Sequence, residues 1–150
     1  MIKIVKGNLL DATEDIICHQ VNCQGVMKSG VAKAIRDKWP KVYEEYRPLC
    51  VGHLGSTILG YVQFVELDDD ARIVANLFAQ NDYGYDGQRY TSYDAFYKCL
   101  TELRRLAGNY SFAFPYKIGS DRGGASWRVI YAMICDVLGD RNVTIYKLEE

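Results

Sequence analysis

Residues 18–35, CHQVNCQGVMKSGVAKAI, decide the fold. The β-branched run DIICHQV leads into Asn22, and the chain then passes through Gly25, Lys28, Ser29 and Gly30. Beyond them Val31, Ala34, Ile35 and Lys38 recur at helical spacing. A strand that feeds a helix through glycine and small polar residues is the repeating unit of an α/β protein. Such a turn sets free backbone N–H groups at a helix N-terminus, where an anion is favoured.

Working outward, IKIVKG reads as a first strand, and Pro40 suits the first turn of a second helix that Pro48 and Gly52 would close. STILGYVQFVEL and RIVANLFA read as two strands joined by the acidic turn Asp68, Asp69 and Asp70. SYDAFYKCLTELRRLA sets Tyr93, Phe96, Tyr97, Leu100, Leu103 and Leu106 on one apolar helical stripe. YSFAF follows as a buried strand, then a loop, a helix over WRVIYAMICDVLG and a last strand NVTIYKL. Strands and helices alternate, so a three-layer α/β/α architecture with a mixed central sheet is expected for one domain over residues 1–150.

A net charge of −1, with 25% charged and 49% hydrophobic residues, carries no basic excess that would hold a nucleic-acid backbone. Nucleic acid is therefore not an expected partner, and any acidic ligand must be held locally. The five cysteines, Cys18, Cys23, Cys50, Cys99 and Cys135, include no CxxC pair, which fits a reducing, cytoplasmic setting without metal or cofactor. No run is apolar for long enough to span a bilayer, so no membrane association is expected, and the chain reads as a monomer.

A second glycine-rich loop, KIGSDRGGASWRVI, follows the strand YSFAF. Neither loop ends in the GK[ST] of a phosphate-binding P-loop, and neither matches GxGxxG. Two such loops, each opening a helix at the carboxyl end of a strand, would fit a diphosphate.

The combination is specific: Gly7-Asn8-Leu9 at the start, Asn22, Gly25, Met27, Gly30, Val31 and Ala32 in the first loop, and Pro115, Ile118 and Gly119 in a second loop that ends in Trp127. Over essentially its whole length the chain resembles the macrodomains, the ADP-ribose-binding modules. It is most similar to the branch with ADP-ribosyl-glutamate hydrolases, nucleic-acid ADP-ribose hydrolases and ADP-ribose 1″-phosphate phosphatases.

The resemblance implies that Asn8 and Leu9 meet the adenine and that Asn22 lies near the distal ribose. Gly25, Val26, Met27, Lys28, Ser29, Gly30 and Val31 would form one wall of the diphosphate site. Gly119, Ser120, Arg122, Gly123, Gly124 and Ala125 would form the other. The chain departs from the family pattern at Asn8, where aspartate is usual, and at Lys28, where glycine is usual. Lys28 either adds a cation beside the diphosphate or marks a different loop backbone. In SDRGG, Asp121 is expected to point away from the ligand and Arg122 towards it. The lysine and aspartate of the glutamate-deconjugating enzymes are absent from the matching region, around Gln80 and at Gly123.

The resemblance also matches His19 to a histidine of the phosphatase-like relatives. It reads either as a general acid or base or as a satisfied core histidine. The loop QNDYGYDGQRY reads either as a lid over the ligand or as an ordinary exposed loop, with Asp82 the candidate water-activating base. Two functions follow: a binding module for free, protein-linked or 1″-phosphorylated ADP-ribose, or a small hydrolase acting on such a compound.

Overall fold

The computed structural model describes residues 1–53, 55–68 and 71–148. Six strands, β1 (Ile2–Lys6), β2 (Ile16–Asn22), β3 (Val62–Glu66), β4 (Ile73–Gln80), β5 (Phe112–Pro115) and β6 (Val143–Lys147), form one sheet in the order β1-β6-β5-β2-β4-β3. All neighbours run parallel except β3 and β4, which form an antiparallel pair, so the expected mixed sheet is observed.

β2, β4 and β5 are central and covered on both faces, which explains their nearly continuous apolar runs. Helices α1 (Gly30–Lys38) and α2 (Pro40–Val51) cover one face, with Ile35, Val42 and Tyr46 packed on Ile17, Val21, Val74 and Phe78. Helices α3 (Tyr93–Ala107) and α4 (Trp127–Leu138) cover the other, with Phe96, Leu100, Leu103, Ile130 and Ile134 packed on Cys18, Ala75, Leu77, Phe112 and Phe114. The three-layer sandwich therefore holds two apolar cores, one on each side of the sheet.

Three local expectations are corrected. Pro48 lies inside α2, which continues to Val51, and Gly52 ends it with a right-handed φ of −77° while its N–H bonds the Pro48 carbonyl. The strand read from STILGYVQFVEL begins only at Val62, because Gly60 turns at φ +93° and Gly55–Ile58 form a 3-10 turn. On α3 the buried stripe is Ala95, Phe96, Cys99, Leu100, Leu103 and Ala107. Tyr97 and Leu106 are exposed, and the Tyr97 hydroxyl instead donates to Asp136 of α4 at 2.8 Å. Asp68 accepts from Lys41 at 2.9 Å, whereas Asp69 and Asp70 of the expected acidic turn lie outside the described residues.

The order of strands also fixes where a ligand site can form. From β2 the chain leaves through α1 towards the β3 edge, and from β5 it leaves through α4 towards the β6 edge. β2 and β5 are neighbours, so their carboxyl ends open a crevice where the two connections part.

Candidate functional site

Both glycine-rich loops meet at that crevice. It holds about 200 Å³ and is lined by the ends of β2 and β5, by residues 28–32, by Gln80 and Tyr83 to Tyr85, and by the second loop through Gly123.

The first loop is held in place by Asn22. Its amide oxygen accepts from the Gln24 N–H at 2.9 Å, its amide nitrogen donates to the Val26 carbonyl at 2.9 Å, and the Tyr46 hydroxyl lies 2.8 Å from both its side-chain and main-chain oxygens. Asn22 lines the cleft, yet its side chain is engaged in shaping the loop. Gly25 is buried at φ +79°, and Met27 and Phe78 lie beneath as apolar packing. Lys28 adopts no left-handed φ, so the loop does not need glycine there. Its side chain adds a cation to the cleft, with the ammonium 5.7 Å from the Tyr83 ring.

Ser29 precedes α1 but its hydroxyl does not cap the helix, and no acidic residue stands in the first turn. The N–H groups of Gly30, Val31 and Ala32 consequently have no intrahelical partner, and all three residues line the cleft. Together with the helix dipole they favour an anion.

The second loop is folded on itself. Ser120 N–H bonds the Lys117 carbonyl at 2.9 Å, Gly124 N–H the Asp121 carbonyl at 3.1 Å, and Ala125 N–H the Gly119 carbonyl at 3.0 Å. Lys117 sits at φ +62°, a left-handed conformation that costs a branched or long side chain about 1–2 kcal/mol and that is concentrated at functional sites. The glycines here serve the neighbouring segment as much as any ligand. A Cβ on Gly123 would lie 2.4 Å from the Thr91 hydroxyl, and one on Gly124 would lie 2.6 Å from the Gln88 carbonyl. The Gly123 carbonyl accepts from the N–H groups of Tyr90 and Thr91, at 2.8 and 3.0 Å, so this loop and residues 88–91 form one seam.

Asp121 and Arg122 both belong to the cleft lining, in the turn closed by the Gly124 N–H on the Asp121 carbonyl. Lys28, Lys117 and Arg122 against Asp121 leave the rim positive. The Arg122 guanidinium stacks 4.3 Å from the Tyr85 ring, and the Tyr85 hydroxyl lies 3.3 Å from the Ser29 hydroxyl. Tyr85 thus spans from one glycine-rich loop to the other. Behind it the loop is braced by the Tyr90 hydroxyl, which donates to Asp86 and occupies the space that a Cβ on Gly84 would need.

His19 lines the cleft and is 1% exposed. Its Nε2 lies 2.5 Å from the Asn76 amide oxygen, and burial drives its pKa down to about 4 against the opposing effect of that hydrogen bond. His19 is therefore a neutral ring at pH 7. Asp82 is exposed, is not among the cleft-lining residues, and accepts from the Tyr83 N–H at 2.8 Å. Gln80, at the end of β4, lines the cleft and accepts from the Gln20 amide at 2.7 Å.

Among the other residues expected at the site, Asn8 and Leu9 lie outside this cleft. The Asn8 side chain caps the turn Leu9–Asp11 by accepting from the Leu10 N–H at 2.9 Å, and Leu9 is buried in the α1–α2 core. Ser120, Gly124 and Ala125 belong to the second loop without lining the cleft. The motifs did not single out Gln20, Tyr116 and Lys117. Only the register of β2 and the end of β5 bring them to the cleft. Among the described residues, no group of three or more His, Cys, Asp or Glu could hold a metal ion, and no helix is long and apolar enough to cross a membrane.

No family model matches the chain. Over 86 residues it is 31% identical to the ADP-ribose 1″-phosphate phosphatase of Candida albicans, a stretch covering 54% of each protein, so the match spans about half of that relative's length. The macrodomain of Mycobacterium tuberculosis DarG superposes with a TM-score of 0.79 at 24% identity, covering 97% of both chains. Thermosipho africanus DarTG, solved in complex with ADP-ribose, superposes with a TM-score of 0.77 at 16% identity over 97% of this chain and 41% of that one. The chain therefore has the α/β fold of the macrodomains.

Proposed function

We propose that the protein binds ADP-ribose or a derivative of it, free, protein-linked or 1″-phosphorylated, with the diphosphate between the two glycine-rich loops. One observation carries this reading. The residues whose N–H groups begin α1 without an intrahelical partner line the same cleft as the second loop, together with Lys28, Lys117 and Arg122. Backbone donors satisfy phosphate oxygens without the entropy cost of ordering long side chains, and surrounding cations raise the local anion concentration. The cleft of about 200 Å³ lies below the roughly 300–1,000 Å³ of sites that enclose a drug-sized ligand. It therefore takes the diphosphate and distal sugar, with the adenine outside it. The solved relative that contains ADP-ribose supports the choice of ligand. The same reading places the protein in the cytoplasm as a monomer that does not engage nucleic acid.

Isothermal titration tests this. ADP-ribose is expected to bind with a micromolar Kd, about −8 kcal/mol, with ADP, AMP and NAD weaker. A second reading, hydrolysis of ADP-ribose 1″-phosphate, is favoured by the name of the Candida albicans relative and by a neutral histidine in the cleft. Asp82 is exposed and is not among the cleft-lining residues, so this reading rests on His19. Release of inorganic phosphate that disappears in His19→Ala while ADP-ribose binding persists would establish it.

A further inference from the structure

His19 belongs to a polar row that crosses the sheet, and the polarity of the row can be read from its far end. Gln63 of β3 donates its amide to the Glu45 carbonyl of α2 at 2.9 Å, so its oxygen faces the other way. That oxygen accepts from the Asn76 amide nitrogen at 3.0 Å, which turns the Asn76 amide oxygen towards His19. A backbone carbonyl cannot donate, so the order of donors and acceptors is fixed at every link. Register supports the row, since His19 pairs with Asn76 and Asn76 with Gln63 across β2, β4 and β3.

Facing an amide oxygen, Nε2 must carry the ring proton, and the other nitrogen, Nδ1, is then a bare lone pair. Nδ1 is buried and has no hydrogen-bond partner in the structure, in a residue that lines the cleft. A buried acceptor left unpaired costs stability unless something arrives to donate to it. Gln20 offers the only other such atom among the described residues, but its oxygen lies against Gly119, where a Cβ would come within 2.8 Å, so the second loop covers it.

We propose that Asn76 is a positioning residue that locks His19 in its Nε2–H form, making Nδ1 a fixed acceptor at the cleft floor for a hydroxyl of the ligand's distal sugar. This rests on the ADP-ribose reading and refines it. A neutral lone pair repels the oxygens of a phosphate dianion and accepts from a hydroxyl, so the floor is matched to the sugar while the loops take the phosphates.

The test is ring 15N NMR of the intact protein, with exposed His53, the only other histidine, as an internal reference. At pH 7 the His19 ring is expected to show a protonated Nε2 and an unprotonated Nδ1. A protonated Nδ1, an even mixture of forms or an imidazolium would overturn the proposal. Adding ADP-ribose is expected to shift the Nδ1 resonance upfield, whereas saturating ADP, which lacks the distal sugar, leaves it unmoved. If calorimetry shows ADP-ribose bound and Nδ1 does not respond, the ligand contact is refuted. If ADP-ribose does not bind, that contact falls with the functional reading, and the apo spectrum decides the tautomer separately. Asn76→Asp is expected to convert the ring to imidazolium at pH 7, and an unchanged ring in the folded variant would contradict the role of Asn76. Should that buried substitution not fold, Gln63→Leu, at a partly exposed position, frees the Asn76 amide to turn and is expected to yield mixed tautomers.

Discussion

Acidification should destabilise the protein through one identifiable group. His19 is buried at the centre of the sheet, and its pKa is lowered from 6.5 to about 4 by desolvation, the Asn76 hydrogen bond opposing this only in part. The unfolded chain therefore binds a proton between these two values that the folded protein refuses, and stability falls as pH falls through that window. The full difference between 6.5 and about 4 corresponds to roughly 3 kcal/mol. About 1 kcal/mol of it is lost by pH 5.5 and roughly 2 to 3 kcal/mol by pH 4.5. The assay is urea denaturation of the wild type and of His19→Gln at pH 7.5, 6.5, 5.5 and 4.5. Gln retains an amide that can donate to Asn76 but cannot take up a proton. Other titrating pairs, such as Arg104 with Asp140, whose carboxyl is held down to about 2, are common to both proteins and cancel in the difference. The stability advantage of the wild type should shrink by the amounts given as pH is lowered. Stability curves that stay parallel down to pH 4.5 would show that His19 takes up its proton equally in the folded and unfolded chains.

Gly123→Ala should destabilise by about 1–3 kcal/mol and weaken ADP-ribose binding at least tenfold, since the new methyl meets Thr91 and the Gly119 carbonyl at 2.4 and 2.6 Å. Gly87→Ala, at φ +79° with open space around it, should cost about 1 kcal/mol of backbone strain and leave binding intact, as thermal melts and calorimetry would show. Lys28→Ala is expected to weaken ADP-ribose binding a few-fold at low salt and less at high salt, because the lost contribution is screened Coulomb attraction. Of the five free cysteines only Cys135 is exposed, so one thiol equivalent should react rapidly with a disulfide reagent in the native protein and the other four only on unfolding.

Much of this architecture was legible in the sequence, for physical reasons. Central strands such as IICHQVN and IVANLFAQ are buried on both faces and so announce themselves as apolar runs, and the two glycine-rich loops lie where those runs stop. Lys28, which the sequence leaves as either an added cation or the mark of a different loop backbone, and Arg122 both line the cleft. What escaped depends on neighbours remote in sequence. Gly123 and Gly124 read as glycines for a phosphate, yet residues 88–91 pack against them, over thirty positions earlier. Lys117 takes a left-handed φ that nothing in PYKIGS signals. For Asp82, the candidate base in the loop QNDYGYDGQRY, the sequence does not disclose the local hydrogen bond, accepted from the Tyr83 N–H, that holds its side chain. Asn76 was unremarked because an asparagine inside an apolar strand acquires meaning only once register sets it between His19 and Gln63.

The most direct test of the central claim is to follow backbone amide resonances while ADP-ribose is added to 15N-labelled protein. Large, saturable shifts are expected for Gly30, Val31 and Ala32 and for Gly119 and Gly123, with α3 and the outer strand β1 unmoved. Saturable shifts that bypass both glycine-rich loops, or no shifts at millimolar ligand, would contradict the assignment of this cleft as the diphosphate site.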